Sequence, residues 1–193
     1  GGQPINSLGE AVNNAMQLVE EQSAQLIGVL PKTYTMFADD LLRELLRIFN
    51  NETIDEIGGD IIGRIYEYFL SKFAKAVASD DGVFFTPKSL VKMLVNVLEP
   101  EHGVMFDPAC GSGGMFVQSA KFVESHGGNI NKISVFGQDS NPTTWKMAQM
   151  NLAIRGIEAN LGEFNADTFF KDCHKTMKAD YILANPPFNL SDW

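Results

Sequence analysis

The spacing of the hydrophobic residues changes near residue 80 and divides the chain into two parts. In residues 8–79 the apolar side chains recur at helical intervals, as in Leu41, Leu42, Leu45, Leu46 and Phe49. One helix is predicted to carry an apolar stripe that ends at Leu26, Ile27 and Leu30. A capping box of Thr53 and Glu56 predicts another helix over 54–78. We therefore expect an N-terminal helical region over 1–79.

After residue 80, short apolar runs alternate with segments of helical period. Strands are predicted at 104–106, 133–136 and 181–184, with a weak one near 159–162. One helix is predicted through Leu98, with Thr86 as N-cap and Pro87 as its first residue. Others are predicted over 114–125 and over 142–155, the latter with Asn141 as cap. This alternation predicts an α/β domain over 80–193, with a partial doubly wound parallel sheet. An open sheet usually has more strands, so we expect the C-terminal part of the domain to be absent from this chain.

A glycine-rich segment follows the first predicted strand and opens the next helix. It reads Asp107-Pro108-Ala109-Cys110-Gly111-Ser112-Gly113. Glycines permit positive φ and a close approach of the backbone to a ligand, and a helix N-terminus offers free N–H groups. The third glycine of a dinucleotide fingerprint and the Gly-Lys-Ser/Thr of a P-loop are both missing. The segment predicts a ligand-binding loop of another kind.

A second segment, Asn185-Pro186-Pro187-Phe188, follows the last predicted strand. Its prolines cannot extend a sheet, which leaves the asparagine amide and free carbonyls for a ligand and the phenylalanine ring for stacking. Ligands of open α/β sheets bind beyond the carboxyl ends of the strands. We expect both segments to face one crevice.

Charge and cysteine content limit the partners of the chain. It has 15 basic and 24 acidic residues and a net charge of −9, spread over both parts. DNA binding draws affinity from Lys and Arg at phosphates, so a partner would have to supply most of the grip on DNA. The two cysteines and three histidines form no disulfide framework or metal motif. Together with the lack of an 18-residue apolar run, this predicts a cytoplasmic protein without metal or membrane association.

Together the two segments resemble the S-adenosylmethionine-dependent amino-methyltransferases of DNA. More narrowly, the chain resembles the modification subunit of type I restriction-modification systems, whose sheet is Rossmann-like. Three further stretches match that subunit, namely 82–87, 138–143 and 151–156. The resemblance covers roughly 60–193, whereas 1–59 match only in helical character.

The resemblance implies a set of contacts to S-adenosylmethionine. Phe85, Thr86 and Pro87 would lie over its methionine portion. Its amino group would bind Asp107, with Gly111 and Gly113 allowing close backbone approach. The ribose hydroxyls would bind Asp139, where the family often has Glu, and the adenine amino group would bind Asp167.

The resemblance also implies a mechanism for methylation of adenine N6. The Asn185 side-chain oxygen and the Pro186 carbonyl would hold the two amine hydrogens, and Phe188 would stack on the flipped base. A cytosine-C5 enzyme would need a Pro-Cys nucleophile outside the cofactor loop. Cys110 lies within that loop, so we interpret it as a packing residue.

The implied function is transfer of a methyl group to adenine N6 in DNA, together with a specificity subunit and a restriction subunit. Target recognition would belong to the specificity subunit. Two alternatives stay open: a protein-glutamine or RNA methyltransferase that shares the Asn-Pro-Pro motif, or a truncated chain that acts only as an interaction module. We expect the chain alone to be inactive.

Overall fold

The computed structural model describes residues 7–50, 61–77 and 86–186. The chain divides into two compact units, Gly1–Arg64 and Ile65–Trp193. The predicted capping box of Thr53 and Glu56 lies outside the described residues. The predicted domain boundary at 79/80 stays a prediction.

The first unit contains helix α1 (Leu8–Gln22) and helix α2 (Asp39–Phe49). Ser7 caps α1, because its side chain accepts a hydrogen bond from the Glu10 N–H at 3.2 Å. The segment between the two helices forms short 3₁₀ turns at Ala24–Leu26 and Tyr34–Met36. In the next described segment, helix α3 (Ile61–Val77) falls within the predicted helix 54–78 and crosses the division between the units.

The predicted helical stripe through Leu26, Ile27 and Leu30 is wrong. Helix α1 ends at Gln22, and Gly28 adopts a positive φ of 74°. The Glu20 carboxylate accepts hydrogen bonds from the Leu30 N–H at 2.8 Å and from the Lys32 ammonium at 2.5 Å. These bonds fold the segment back on α1, so apolar spacing alone does not identify it as a helix.

The second unit alternates helices and strands as predicted. Its further elements are α4 (Lys88–Leu98), β1 (Gly103–Asp107), α5 (Gly114–Ser125), β2 (Ile133–Gly137), α6 (Pro142–Ala153), β3 (Ala159–Asn160) and β4 (Tyr181–Ile182). Asn141 caps α6 as predicted, since its side chain accepts from the Thr143 and Thr144 N–H groups. The prediction that Thr86 caps α4 is wrong, because Pro87 takes that position without a side-chain cap bond.

The four strands form a parallel sheet in the order β3-β2-β1-β4. Gly103 pairs with Ile133, and the register continues to Asp107 opposite Gly137. The carboxyl ends of β1 and β2 are therefore level with each other. On the other side of β1, β4 pairs with Met105 and Phe106. The predicted α/β fold with a doubly wound parallel sheet is confirmed.

The core lies between the sheet and helices α4, α5 and α6. Alternate strand residues such as Met105 and Val135 pack with Phe116 and Leu152. Phe106 and Phe136 instead make edge-to-face contacts with His174, whose Nε2 lies 2.8 Å from the Gly137 carbonyl oxygen. The helices thus fix the sheet, and the segment after β3 lies along its carboxyl edge.

None of the helices in 7–50, 61–77 and 86–186 is long and apolar enough to cross a bilayer.

Candidate active site

The glycine loop connects β1 to α5 and has two residues in the left-handed region. Gly111 has a φ of 55° and Gly113 a φ of 78°. A Cβ added at Gly111 would meet nothing within 4 Å, whereas one at Gly113 would contact the Leu152 side chain at 3.5 Å. The backbone conformation therefore favours glycine at both positions, and the space beside Gly111 is open to a ligand.

Asp107 ends β1 and is the most deeply buried acid of the site, with 1% of its surface exposed. Its Oδ1 accepts a hydrogen bond from the Ala109 N–H at 3.0 Å. Burial raises the pKa of Asp107 to about 7, the Ala109 hydrogen bond opposes the rise, and the nearby Asp139 carboxylate adds to it. Near neutral pH the Asp107 carboxyl is therefore divided between its two protonation states, and a cationic ligand group would favour the ionised one.

Asp139 follows β2 and holds the glycine loop. Its Oδ2 accepts from the Gly111 N–H at 2.9 Å, and its Oδ1 accepts from the Asn141 N–H at 2.9 Å. Burial raises the pKa of Asp139, although these two hydrogen bonds act in the opposite direction. Each carboxylate oxygen has a second lone pair, so Asp139 can accept further hydrogen bonds from a ligand.

Asp167 lies in the segment after β3, and this segment is bonded to both neighbouring loops. The Ala166 N–H donates to the Asp139 carbonyl at 2.9 Å, and the Thr168 hydroxyl donates to the Pro108 carbonyl at 2.6 Å. The half-buried Asp167 accepts from the Phe169 N–H at 2.9 Å. The structure thus brings Asp107, Asp139 and Asp167 to one edge of the sheet.

Asn185 follows β4, the direct neighbour of β1, and therefore lies at the same edge. Its Nδ2 donates to the Thr86 hydroxyl oxygen at 2.9 Å, although the two residues are far apart in the sequence. This bond joins the segment of the predicted Phe-Thr-Pro motif to that of the Asn-Pro-Pro motif. Pro186 is exposed beside Asn185, and Pro87 is exposed beside Thr86. Phe85 and Phe188 lie outside the described residues.

Gln138 is a residue of the site that sequence reasoning missed. It is fully buried, and its Nε2 donates to the Lys171 carbonyl at 2.7 Å while its Oε1 accepts from the Cys173 N–H at 3.0 Å. Its backbone bonds to Asp107 and Cys110. The sequence does indicate Gln138 in one way, because it is an uncharged polar residue between a buried strand and Asp139. Gln138 ties the segment that carries Asp167 to the ends of β1 and β2.

Cys110 is buried in the hydrophobic core. Burial raises the pKa of its thiol well above the usual value, and Asp107 and Asp139 raise it further. A thiol held in its neutral form is a poor nucleophile. The packing interpretation of Cys110 agrees with this environment. No cluster of three or more metal-ligating side chains occurs among the residues that the structure describes.

Comparison with known proteins gives a consistent set of relatives. The family model described as N-6 DNA Methylase matches residues 58–193. The HindI type I restriction enzyme methylase subunit of Haemophilus influenzae is 42% identical over 203 aligned residues, which cover all of this chain and 46% of the relative. The chain thus spans about half the length of that curated relative.

Solved structures agree with this result. A modification subunit of a putative type I restriction enzyme from Vibrio vulnificus has a TM-score of 0.56 and 26% identity, over 69% of this chain and 30% of that one. A putative class I S-adenosylmethionine-dependent methyltransferase from Listeria monocytogenes has a TM-score of 0.55 and 17% identity, over 94% of this chain and 52% of that one, and supports the fold alone. The family match over more than half of the chain, joined to the resemblance in the glycine loop and the Asn-Pro-Pro segment, shows that this chain belongs to the N-6 DNA methylase family.

Proposed function

We propose that this chain forms the cofactor-binding and catalytic part of an adenine-N6 DNA methyltransferase, the modification subunit of a type I restriction-modification system. Family membership and the names of its relatives support the reaction class. The observation that carries the proposal is the position of Asn185 and Asp107. Asn185 follows β4 and Asp107 ends the adjacent strand β1, so an amide side chain and a buried acid share one edge of the sheet.

The residues at this edge fit S-adenosylmethionine. Asp107 has a raised pKa and a like charge nearby, an environment in which the amino group of methionine would favour the ionised carboxylate. The open space beside Gly111 lets the ligand approach the backbone. Asp139 would accept the ribose hydroxyls, and Asp167 would accept the adenine amino group. When bound, S-adenosylmethionine would supply an electrophilic methyl group.

Further residues would complete the contacts to the methionine portion. Thr86 and Pro87 begin the segment before α4, and Phe85 would precede them. Gly113 would allow the N-terminus of α5 to approach the ligand, because glycine has no side chain and readily adopts the positive φ of this position. The described residues among these proposed contacts lie at the end of a strand, on a loop that follows a strand, or at the start of a helix.

The proposed chemistry of the chain's own residues is orientation of the target amine. The Asn185 Oδ1 and the Pro186 carbonyl would accept the two N–H groups of adenine N6, which directs the nitrogen lone pair toward the methyl group. Because the amide is planar, the bond from Nδ2 to Thr86 also fixes the direction of Oδ1. Phe188 would stack on the base after it leaves the duplex.

Target recognition is assigned to a partner. The net charge of −9 opposes binding to phosphates, and the relatives are named as subunits of larger enzymes. We propose that a specificity subunit supplies sequence recognition and that a restriction subunit completes the system. We expect negligible DNA affinity for this chain alone at physiological salt, measured by fluorescence anisotropy of a labelled duplex. Tight binding by the isolated chain would contradict this assignment.

The decisive experiment is methyl transfer from labelled S-adenosylmethionine by the complete modification subunit with its specificity subunit. Unmethylated duplex DNA, structured RNA and a glutamine-containing protein substrate would be offered in parallel. Label in N6-methyladenine would support the proposal. Label in RNA or in glutamine would transfer the function to one of the alternative substrates. Cofactor binding without labelling of any acceptor would favour a non-enzymatic interaction module.

A further inference from the structure

A charge cluster outside the proposed cofactor contacts is centred on Glu67 of helix α3. Its side chain is 10% exposed and lies against three basic side chains. Arg155 Nη2 is 3.1 Å from Glu67 Oε1, Lys121 Nζ is 3.8 Å from the same oxygen, and Lys88 Nζ bonds to Oε2. The Arg155 side chain is only 5% exposed. Lys88 and Lys121 are exposed, but burial of the Glu67 and Arg155 charges is costly unless they are held in a fixed arrangement.

Arg155 connects this cluster to Asn151 on helix α6. One guanidinium nitrogen, Nη1, donates to the Asn151 backbone carbonyl at 3.0 Å and also to the Asn151 side-chain oxygen. Asn151 is 2% exposed. With its oxygen held by Arg155, the amide of Asn151 can present only its nitrogen in the opposite direction.

That nitrogen reaches the glycine loop. Asn151 Nδ2 donates to the Ser112 carbonyl oxygen at 2.7 Å. On the other side of the same peptide, the Gly113 N–H donates to the Cys110 carbonyl at 2.9 Å. Because Gly111 and Gly113 have no side chains, few clashes restrict rotation of the peptides around Ser112. The two hydrogen bonds select one orientation of the Ser112–Gly113 peptide.

The other end of the cluster reaches the second loop of the site. Lys88 is the first residue of α4 and bonds to Glu67. Two residues earlier, the Thr86 hydroxyl accepts from Asn185. Glu67 is therefore connected through Arg155 and Asn151 to the glycine loop, and through Lys88 to the segment that meets Asn185. Tyr66 anchors the same turn of α3, because its hydroxyl donates to the Met147 carbonyl on α6 at 2.9 Å.

We propose that Glu67, Arg155 and Asn151 are positioning residues that preorganise the glycine loop for S-adenosylmethionine. The inference rests on the proposed function and deepens it, because none of the three residues is placed against the cofactor. They act by fixing the Ser112–Gly113 peptide before the ligand arrives. A loop that is already in its binding conformation loses less conformational freedom when the ligand binds.

Two conservative substitutions separate positioning from simple charge compensation. Asn151→Asp keeps the size of the side chain and an acceptor for Arg155. However, it places an oxygen instead of an N–H donor against the Ser112 carbonyl oxygen, so that hydrogen bond is lost. Arg155→Lys keeps a positive charge toward Glu67, but a single ammonium lacks the planar fork that bridges Glu67 and Asn151. If only charge compensation matters, Arg155→Lys should leave cofactor binding unchanged.

Glu20→Gln is the matched control for Glu67→Gln. Glu20 is also a buried glutamate paired with a lysine, but it belongs to the first unit and closes the 23–32 segment there. Both substitutions weaken a buried ion pair. Only Glu67→Gln should disturb the glycine loop, and it also provides a milder variant if Asn151→Asp does not fold.

The experiment measures affinity for S-adenosylhomocysteine by calorimetry and hydrogen exchange of the 108–116 amides in the full chain without ligand. We expect Asn151→Asp and Arg155→Lys to weaken binding about tenfold, the effect of roughly one oriented hydrogen bond, and to accelerate exchange in 108–116. Glu67→Gln should do both to a smaller extent, and Glu20→Gln should do neither.

Unchanged affinity and unchanged exchange in the folded Asn151→Asp and Arg155→Lys variants would overturn the inference. If the unsubstituted chain does not bind S-adenosylhomocysteine, the proposed cofactor site fails for this chain, and exchange alone decides the inference. Faster exchange in 108–116 would then support the positioning role, and equal exchange would refute it.

Discussion

Each unit buries an acidic side chain, Glu20 in the first and Asp107 in the second, but their pKa values shift in opposite directions. Burial alone would raise the pKa of Glu20, yet hydrogen bonds from Lys32, Leu30 and Gly28 and the charge of Lys32 hold it below the usual value. Burial raises the pKa of Asp107 to about 7, and the neighbouring charge is the like charge of Asp139. No basic side chain pairs with Asp107 among the described residues.

This difference separates a structural acid from a candidate ligand-binding acid. Glu20 has its charge compensated within its own unit, and it holds the 23–32 segment against α1. Asp107 is buried at the end of a strand and has no basic partner among the described residues, so under the proposed function a cationic ligand group would be its counterion. Substitution of one asparagine, one methionine and one glycine in each unit would test the same difference between the units.

The largest effect is expected on kcat, for substitution of Asn185 compared with Asn13. Asn185→Ala in the complete modification subunit should lower kcat by roughly 10²–10³-fold, because an oriented acceptor for the target amine is lost. Affinity for S-adenosylhomocysteine should stay within about twofold, since Asn185 is not proposed to touch the cofactor. Steady-state kinetics and calorimetry measure the two quantities.

Asn13→Ala is the control for Asn185→Ala. Asn13 also bonds across the chain, accepting from the Tyr34 N–H at 3.0 Å, but it lies in the first unit. Its loss should cost about 1 kcal/mol of stability and leave kcat unchanged. Near-normal turnover by the Asn185→Ala enzyme would refute the catalytic role of Asn185.

The methionine pair tests where the packing energy lies. Met105 is fully buried in β1, whereas Met36 in the first unit is 74% exposed. Met105→Ala should lower the free energy of unfolding by about 2–5 kcal/mol because it leaves a cavity in the core. Met36→Ala should change it by less than about 0.5 kcal/mol. Equal losses in calorimetric melts would show that the apolar surface of the first unit is buried in solution.

Local patterns were sufficient where the sequence itself carries the determinant. Helix α5 begins at Gly114 and ends at Ser125 as predicted, and Asn141 caps α6 as predicted. The gathering of Asp107, Asp139 and Asn185 at one edge followed from their positions after parallel strands. Their roles toward the cofactor and the target base stay predictions.

The remaining features depend on contacts between distant parts of the chain. Glu67 meets Arg155 only because α3 packs beside α6, and neither residue carries a local signal for that pairing. Leu26, Ile27 and Leu30 have helical spacing, but the bonds to Glu20 determine their conformation. The pKa of Asp107 likewise depends on burial, which the residue type does not reveal.

Substitution of Gly113 and of Gly28 should show a smaller effect, and the two should differ only in ligand binding. Gly113 and Gly28 have similar positive φ values, 78° and 74°. Valine should cost roughly 1–2 kcal/mol of stability at either position, because a β-branched residue resists this conformation. Only Gly113→Val should also weaken S-adenosylhomocysteine binding, by more than about tenfold, because it distorts the glycine loop. Equal affinity of the folded Gly113→Val and Gly28→Val chains would remove Gly113 from the site.

Asp107 and Glu20 themselves should show the smallest effect, and the direction of its change with pH is fixed by their pKa shifts. Below pH 7 the Asp107 carboxyl is mostly protonated, so binding of an ammonium group must release a proton. Affinity for S-adenosylhomocysteine should therefore rise about tenfold from pH 6 to pH 8 and then level off. Calorimetry in buffers of different ionisation enthalpy would count the released protons. Asp107→Asn should bind weakly, with a flat pH profile over this range.

Without ligand, the contributions of Asp107 and Glu20 to stability should change in opposite directions as the pH rises. The raised pKa of Asp107 contributes stability that is present below the unfolded value of 3.8 and is lost as the pH rises toward 7. The lowered pKa of Glu20 contributes stability that is present above 4.5 and is lost as the pH falls below it. Relative to the unsubstituted chain, Asp107→Asn should therefore gain stability between pH 4 and pH 7, and Glu20→Gln should lose stability above pH 4.5. If Asp107→Asn shows no relative gain in thermal melts across that range, Asp107 has its charge compensated as Glu20 does, and the contrast between the two units fails.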